Sequence, residues 1–238
     1  MAEQRVSNGG AIPSESENFF DKYRAGMRVV LEGAQIETGL TPKEVIWTKN
    51  KAKLYHYEPS PEKKYPVPIL MIYALINRPY ILDLVPGNSF IEYLTGEGFD
   101  VYLLDWGVPG DEDKDMDVEH YVLDYMPRAV KKVLKSSGAE ELTLFGYCMG
   151  GTLSAIYASL FPEHLKNLVL LTTPVSFPRD EIGLFSLFTS EKYLNPDLMA
   201  DAFGNIPSDQ VDTGMQMLKP VTNYVGTYVN MWERIFDE

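Results

Sequence analysis

The sequence predicts an α/β fold on a mostly parallel sheet, and three observations carry that prediction. Strand-like and helix-like segments alternate from Val67 to Thr173, the order expected of parallel strands with helices on both faces. The apolar runs Val67–Ala74 and Phe99–Trp106 lack the polar alternation of a half-exposed strand, as strands covered on both faces do. Finally, Leu142–Thr152 reads LTLFGYCMGGT. A short apolar strand runs into Gly146-Tyr147-Cys148-Met149-Gly150, then into the helix-like segment Thr152–Phe161. This is the strand–turn–helix context in which G-x-S-x-G presents a nucleophile, with cysteine in the serine's place.

Residues 1–17 are polar, contain Gly9, Gly10 and Pro13, and have little to bury, so disorder is expected. From Asn18 to about Ile36, Phe19, Tyr23, Met27, Val30 and Leu31 recur at the spacing of one amphipathic helix. Thr41–Glu44 reads as a turn or short helical start, and Glu44–Trp47 and Lys53–Tyr57 as two paired strands. Pro59–Pro66 is a surface connection. After the Val67–Ala74 strand come a loop, Leu75–Asp83, and a helix around Ser89–Thr95, closed by Gly96 and Gly98. Strand Phe99–Trp106 leads to an acidic loop, Gly107–Asp117. Helix Val118–Lys135 follows and stops at Ser136-Ser137-Gly138, with basic residues in its last turn where the dipole favours them. The elbow strand Leu142–Phe145, its helix and strand Asn167–Thr173 complete the pattern. Beyond it, Asp180–Asp237 reads as short helical pieces and turns rich in apolar residues, without a clean strand. The expected division is a disordered segment 1–17, a core 18–173, and the beginning of a cap 174–238.

The chain of 238 residues is 45% hydrophobic, 12% aromatic and 23% charged, enough apolar mass for a real core. A formal charge of −13 argues against nucleic acid or a bare anionic membrane as partner. One cysteine permits no internal disulfide and fits a reducing compartment. No apolar run reaches the length of a transmembrane segment, and the polar N-terminus lacks the apolar centre of a signal peptide. A cytoplasmic location is expected, with no metal and no cofactor.

The glycines flanking the cysteine have a mechanical reason. Side chains at Gly146 and Gly150 would strike the neighbouring helix and strand. A thiol at Cys148 stands at a helix N-terminus, whose partial positive charge favours thiolate. The backbone N–H of Met149 is then an oxyanion-hole donor. The alternative is that a lone cysteine is a small buried hydrophobe.

Six segments together resemble the catalytic subunit of polyhydroxyalkanoate (PHA) synthases of the short, two-subunit type (class III/IV). They are GLTPKEVIW (39–47), YALINRPYILDLVPG (73–87), GFDVYLLDWG (98–107), FGYCMGGT (145–152), FGNIP (203–207) and LKPVTNY (218–224). The resemblance implies an α/β-hydrolase fold and the polymerisation of (R)-3-hydroxyacyl-CoA into polyester at the surface of cytoplasmic granules, with release of CoA. It implies an acyl-CoA substrate, a second synthase subunit and homodimerisation. It places the nucleophile on Cys148 and the oxyanion donors on the backbone N–H groups of Met149 and Leu75. In this fold the acid and the histidine follow the nucleophile. Here the one later histidine, His164, would sit near the end of the elbow helix, roughly 24 Å from Cys148 at 1.5 Å per residue. His56 and His120 precede the nucleophile. The expectation is therefore a chain that ends within the cap, without its base or last strands, leaving Leu168–Leu171 as an apolar edge.

Asp105 ends a core strand but precedes the nucleophile, which favours loop anchoring over catalysis. Asn77, Arg78 and Tyr80 lie beside the expected oxyanion hole and either contact the substrate and its CoA phosphates or hold the loop. Two other readings stand beside the acyltransferase: a cysteine-dependent hydrolase of esters or lactones, and an inactive fragment retaining only interaction surfaces.

Overall fold

The computed structural model describes residues 23–24, 37–59, 65–176, 195–217 and 221–234. The segment 1–17 lies outside them, as does the helix read over 18–36 except for Tyr23 and Arg24, which are helical. The described residues divide between two compact units, residues 37–213 and a second drawn from the two ends of the chain.

In the larger unit β1 (Glu44–Lys49) and β2 (Ala52–Tyr57) form an antiparallel hairpin. Asn50 accepts the positive φ (51°) at its tip, a conformation asparagine tolerates better than most residues. β3 (Ile69–Ile72) follows, then the small β4–β5 pair (Asp83–Val85, Asn88–Ser89) and α1 (Phe90–Gly96). Ser89 caps α1 by accepting the Glu92 N–H at 3.0 Å. β6 (Val101–Asp105), α2 (Met126–Ser137), β7 (Leu142–Tyr147), α3 (Met149–Leu160) and β8 (Leu165–Leu171) come next. Helix α4 (Pro196–Phe203) follows, and α5 (Ser208–Met217) begins in this unit and ends in the second.

The sheet runs β1-β2-β6-β3-β7-β8. β6, β3, β7 and β8 are mutually parallel, and β2 lies antiparallel against β6. This is the expected α/β-hydrolase type of sheet. The central strands β6, β3 and β7 are apolar on both sides because both sides are covered. Leu70, Ile72 and Leu144 pack with Val122, Met126, Val130, Leu153 and Tyr157 on the side of α2 and α3. Met71, Tyr73, Leu103 and Phe145 pack with Ile91 and Leu82 on the side of α1. Alternation of side chains along each strand divides the apolar residues between these two cores.

Several boundaries differ from the sequence reading. β7 extends to Tyr147, and β8 begins at Leu165 and ends at Leu171 rather than Thr173. The expected Val118–Lys135 helix is a π-type turn, His120–Tyr125, followed by α2. Pro127 in the first turn of α2 explains the change, because its ring crowds the carbonyl one turn back and widens the turn there. Gly138 (φ 72°) closes α2 in the left-handed conformation. Helix α3 ends at Leu160, so His164 is not on it. The Pro79–Leu82 3-10 turn lies within the loop read over Leu75–Asp83, and the β4–β5 pair fills the stretch after it, where no element was read. β8 pairs with β7 alone among the described residues, and Leu168–Leu171 are each 39–40% exposed.

In the second unit a π-type turn, Val221–Gly226, leads into α6 (Thr227–Arg234). Asn223 Nδ2 donates to the Met215 carbonyl at 3.1 Å. Among the described residues no helix is long and apolar enough to cross a membrane.

Candidate active site

The chain leaves β3 toward β6 and leaves β7 toward β8, on opposite sides. The carboxyl ends of β3 and β7 therefore flank a switch point, where open α/β sheets bind ligands. Cys148 follows β7 at this point.

Cys148 has φ 52° and ψ −128°, a backbone conformation costing about 1–3 kcal/mol that persists only where its surroundings fix it. Its N–H donates to the Leu171 carbonyl at 2.9 Å, and its carbonyl accepts from Gly151 N at 2.8 Å. The glycines permit three close approaches. A Cβ on Gly146 would fall on Gly151 Cα and lie 2.8 Å from Ser154 Oγ. One on Gly150 would overlap Ile72 O, at the end of β3, and come within 2.6 Å of Tyr73 O just past it. One on Gly151 would overlap the Thr173 hydroxyl and lie 2.8 Å from its Cβ. Thr152 Oγ1 also donates to the Pro174 carbonyl at 2.8 Å. The exit of β8 thus braces the turn from Leu171 to Pro174, a support the motif alone does not reveal. Gly151 belongs with the expected pair of glycines; the doubled Gly150-Gly151 was the available signal.

Cys148 is half-buried and has a free thiol. Met149 opens the 12-residue α3, so its N–H has no partner within the helix. Leu75 lies three residues past the end of β3, half-buried against the core on the α2–α3 side. The geometry offers a thiol between a helix N-terminus and the loop after β3.

That loop is held from β6. Tyr73 Oη donates to Asp105 Oδ1 at 2.8 Å, and Gly107 N donates to the same oxygen at 2.9 Å. Tyr55 Oη reaches Asp105 Oδ2 at 3.3 Å. Trp106 Nε1 donates to the Tyr73 carbonyl at 3.1 Å. Burial, reinforced by the Asp105 charge, pushes the Tyr73 phenol far above its ordinary pKa, keeping it a donor. Asp105 is occupied as an anchor.

Asn77 N donates to the Ala74 carbonyl at 3.4 Å, and Ile81 N to the Arg78 carbonyl at 3.1 Å. Arg78 and Tyr80 line an open cleft of about 640 Å³ with Lys51, Lys53, Pro79, Asp105, Gly107 and Val108. Asn77 does not line it.

None of the histidines stands at the thiol. The His164 carbonyl accepts from Leu142 N at 2.9 Å, at the amino end of β7. Six residues of strand separate that point from Cys148, about 20 Å at ~3.3 Å per residue. His56 pairs with Asp100 (2.7 Å) and Glu44 (3.3 Å) and stacks on Tyr102, by the amino end of β6. Its hydrogen bond to Asp100 raises its pKa. His120 bonds Asp117 at 2.7 Å and lines a separate acidic pocket with Lys49, Asn50 and Asp124. Among the described residues no group of three or more His, Cys, Asp or Glu is placed to hold a metal.

Residues 67–203 match the family described as alpha/beta hydrolase fold, and residues 32–94 match the poly-beta-hydroxybutyrate polymerase (PhaC) N-terminus. The chain is 44% identical over 205 residues to the poly(3-hydroxyalkanoate) polymerase subunit PhaC of Haloferax mediterranei, an alignment covering 86% of this chain and 42% of that one. It is 38% identical over 229 residues to the subunit of the same name from Synechocystis sp., covering 94% and 61%. The chain thus spans about half the length of these relatives. A solved structure of a soluble monoglyceride lipase variant from Saccharomyces cerevisiae superposes with a TM-score of 0.50 at 14% identity, over 72% of this chain and 56% of that one. This last likeness concerns the fold alone.

Proposed function

We propose a function from one premise: the chain belongs to the alpha/beta hydrolase fold family and, within it, to the PhaC family of poly(3-hydroxyalkanoate) polymerase subunits. On this reading Cys148 carries the acyl group in the polymerisation of (R)-3-hydroxyacyl-CoA. The Cys148 thiolate attacks the thioester carbonyl, and the N–H groups of Met149 and Leu75 take the negative oxygen of the tetrahedral intermediate. The C–S bond to CoA then breaks, and CoA leaves as its thiolate. One thioester has replaced another at little net cost, so the acyl-enzyme stays reactive toward the hydroxyl of a growing chain. That attack forms the ester C–O bond and breaks the acyl C–S bond, freeing Cys148 as its thiolate while the hydroxyl gives up its proton.

The observation supporting this reading is the positive φ of Cys148 at the head of α3, between Gly146 and Gly150. Among the described residues no histidine is placed to deprotonate the thiol or the attacking hydroxyl. A second synthase subunit, a homodimer and the surface of a cytoplasmic polyester granule complete the proposal.

The test supplies the 238-residue chain with (R)-3-hydroxybutyryl-CoA, alone and with a synthase second subunit, and follows CoA release and product. Polymer supports the proposal. Free 3-hydroxybutyrate in place of polymer identifies a hydrolase. A folded chain that never releases CoA in either mixture contradicts the acyl-transfer role.

A further inference from the structure

The geometry points to an anion-binding site at the same edge of the sheet as the thiol. We propose that the cleft between Lys51–Lys53, Arg78–Tyr80 and Asp105–Val108 receives the nucleotide end of the acyl-CoA, with Lys53 and Arg78 on its phosphates. The proposal rests on the acyl-transfer reading of Cys148 and adds where the non-reacting part of the substrate is held.

Position is the first argument. Lys53 pairs in register with Asp105, the last residue of β6, so Lys53 stands at the carboxyl edge of the parallel strands, the edge at which Cys148 follows β7. The segment after β3 is shared: at its start Tyr73 O stands against Gly150 of the Cys148 turn, and further on Arg78, Pro79 and Tyr80 line the cleft. β6 and β7 flank β3, so the two strand ends are about 10 Å apart at ~4.8 Å per strand spacing. A bare nucleotide in the cleft would not reach the sulfur. A pantetheine arm crossing the end of β3 joins the two.

Charge is the second. The chain carries −13 overall, yet three cations converge here. Lys51 is already paired with Glu112 at 2.6 Å and Asp113 at 2.7 Å, and these carboxylates hold its pKa above the ordinary lysine value. The Asp105 carboxylate, the one acid lining the cleft, is occupied by Tyr73, Tyr55 and Gly107. Lys53 and Arg78 make no ion pair among the described residues and remain for a ligand. A guanidinium is suited to two phosphate oxygens at once. The volume, about 640 Å³, lies within the range of small-molecule sites. Tyr80 is 45% exposed at the cleft and offers an aromatic surface to the adenine.

The experiment compares acylation of Cys148 by 3-hydroxybutyryl-CoA and by 3-hydroxybutyryl-pantetheine, which lacks the nucleotide, in the full chain and in the Lys53→Ala/Arg78→Ala variant. Binding of CoA itself is measured in parallel by calorimetry, and circular dichroism confirms that the variant is folded. The wild type should prefer the CoA ester, and the variant should lose that preference by about tenfold or more, as expected for charge-assisted contacts. CoA should bind the variant correspondingly more weakly, with the wild-type advantage shrinking at high salt. An unchanged CoA-to-pantetheine ratio, or an equal loss on both esters, overturns the proposal and makes these side chains supports of the loop. If neither ester labels Cys148 in the wild type, the acyl-transfer reading fails separately. CoA binding then decides for the cleft, and an affinity unaffected by the double substitution rejects it.

Discussion

Tyr73 and Asp105 join β3 to β6 one step beyond the last paired residues, Ile72 and Leu104, through a 2.8 Å hydrogen bond between phenol and carboxylate. The Tyr73 hydroxyl also accepts from Trp106 N at 3.3 Å. One buried side chain, 1% exposed, thus fixes the loop after β6 while its own carbonyl receives the Trp106 indole. Gly107 turns there at φ 78°, where a Cβ would lie 2.6 Å from the Lys51 carbonyl.

Tyr73→Phe should therefore destabilise the chain by about 1–3 kcal/mol, the cost of leaving buried polar partners unmatched. Tyr55→Phe, which removes the longer 3.3 Å contact, should cost less. Urea denaturation of the two variants checks the order. A larger loss from Tyr55→Phe would show that Asp105 is held mainly from β2.

The turn at Cys148 should not tolerate side chains on its glycines. Gly146→Ala and Gly150→Ala place a methyl group on backbone atoms, and Gly151→Ala places one on the Thr173 side chain down to its Cβ; such overpacking costs about 1–3 kcal/mol or more. Gly96→Ala, at the end of α1 with nothing within 4 Å, should stay within about 1 kcal/mol of wild type, in the stabilising direction. Thermal melts of the four variants test this contrast.

His56 gives the fold a pH-dependent contribution. Hydrogen bonds to Asp100 and Glu44 raise its pKa above the ordinary 6.5. The folded state thus favours imidazolium. Its stabilisation is complete below the unfolded value of 6.5 and is lost as pH rises through the raised value. The stability gap between wild type and His56→Gln should be widest near pH ~6, while both carboxylates remain ionised, and should narrow at alkaline pH. A gap that widens with pH would contradict the assignment.

Much of the fold could be read locally. β3 and Val101–Leu104 of β6 are uninterrupted apolar runs because both faces are covered, and the Cys148 turn is written in consecutive residues. Contacts distant in sequence could not be read that way. Asp83, 2% exposed, accepts from Thr41 at 2.6 Å and Ser89 at 2.8 Å and faces Lys43 at 3.6 Å. This knot fastens the segment before β1 to the β4–β5 pair, yet no single window of sequence contains it. The Tyr73–Asp105 bond depends on the register between strands 32 residues apart. The cleft likewise gathers Lys53, Arg78 and Asp105 from three segments. The π-type turn before Pro127 escaped because apolar periodicity reports a helical face without the width of its turns.

The most direct measurement is the mass of the peptide carrying Cys148 after the full chain meets (R)-3-hydroxybutyryl-CoA, quenched at low pH where a thioester survives. We expect one hydroxybutyryl group on Cys148, with an equivalent amount of CoA released, and no modified peptide from Cys148→Ala. Acylation at another residue, or an equal acyl load on Cys148→Ala, would contradict Cys148 as the acyl carrier.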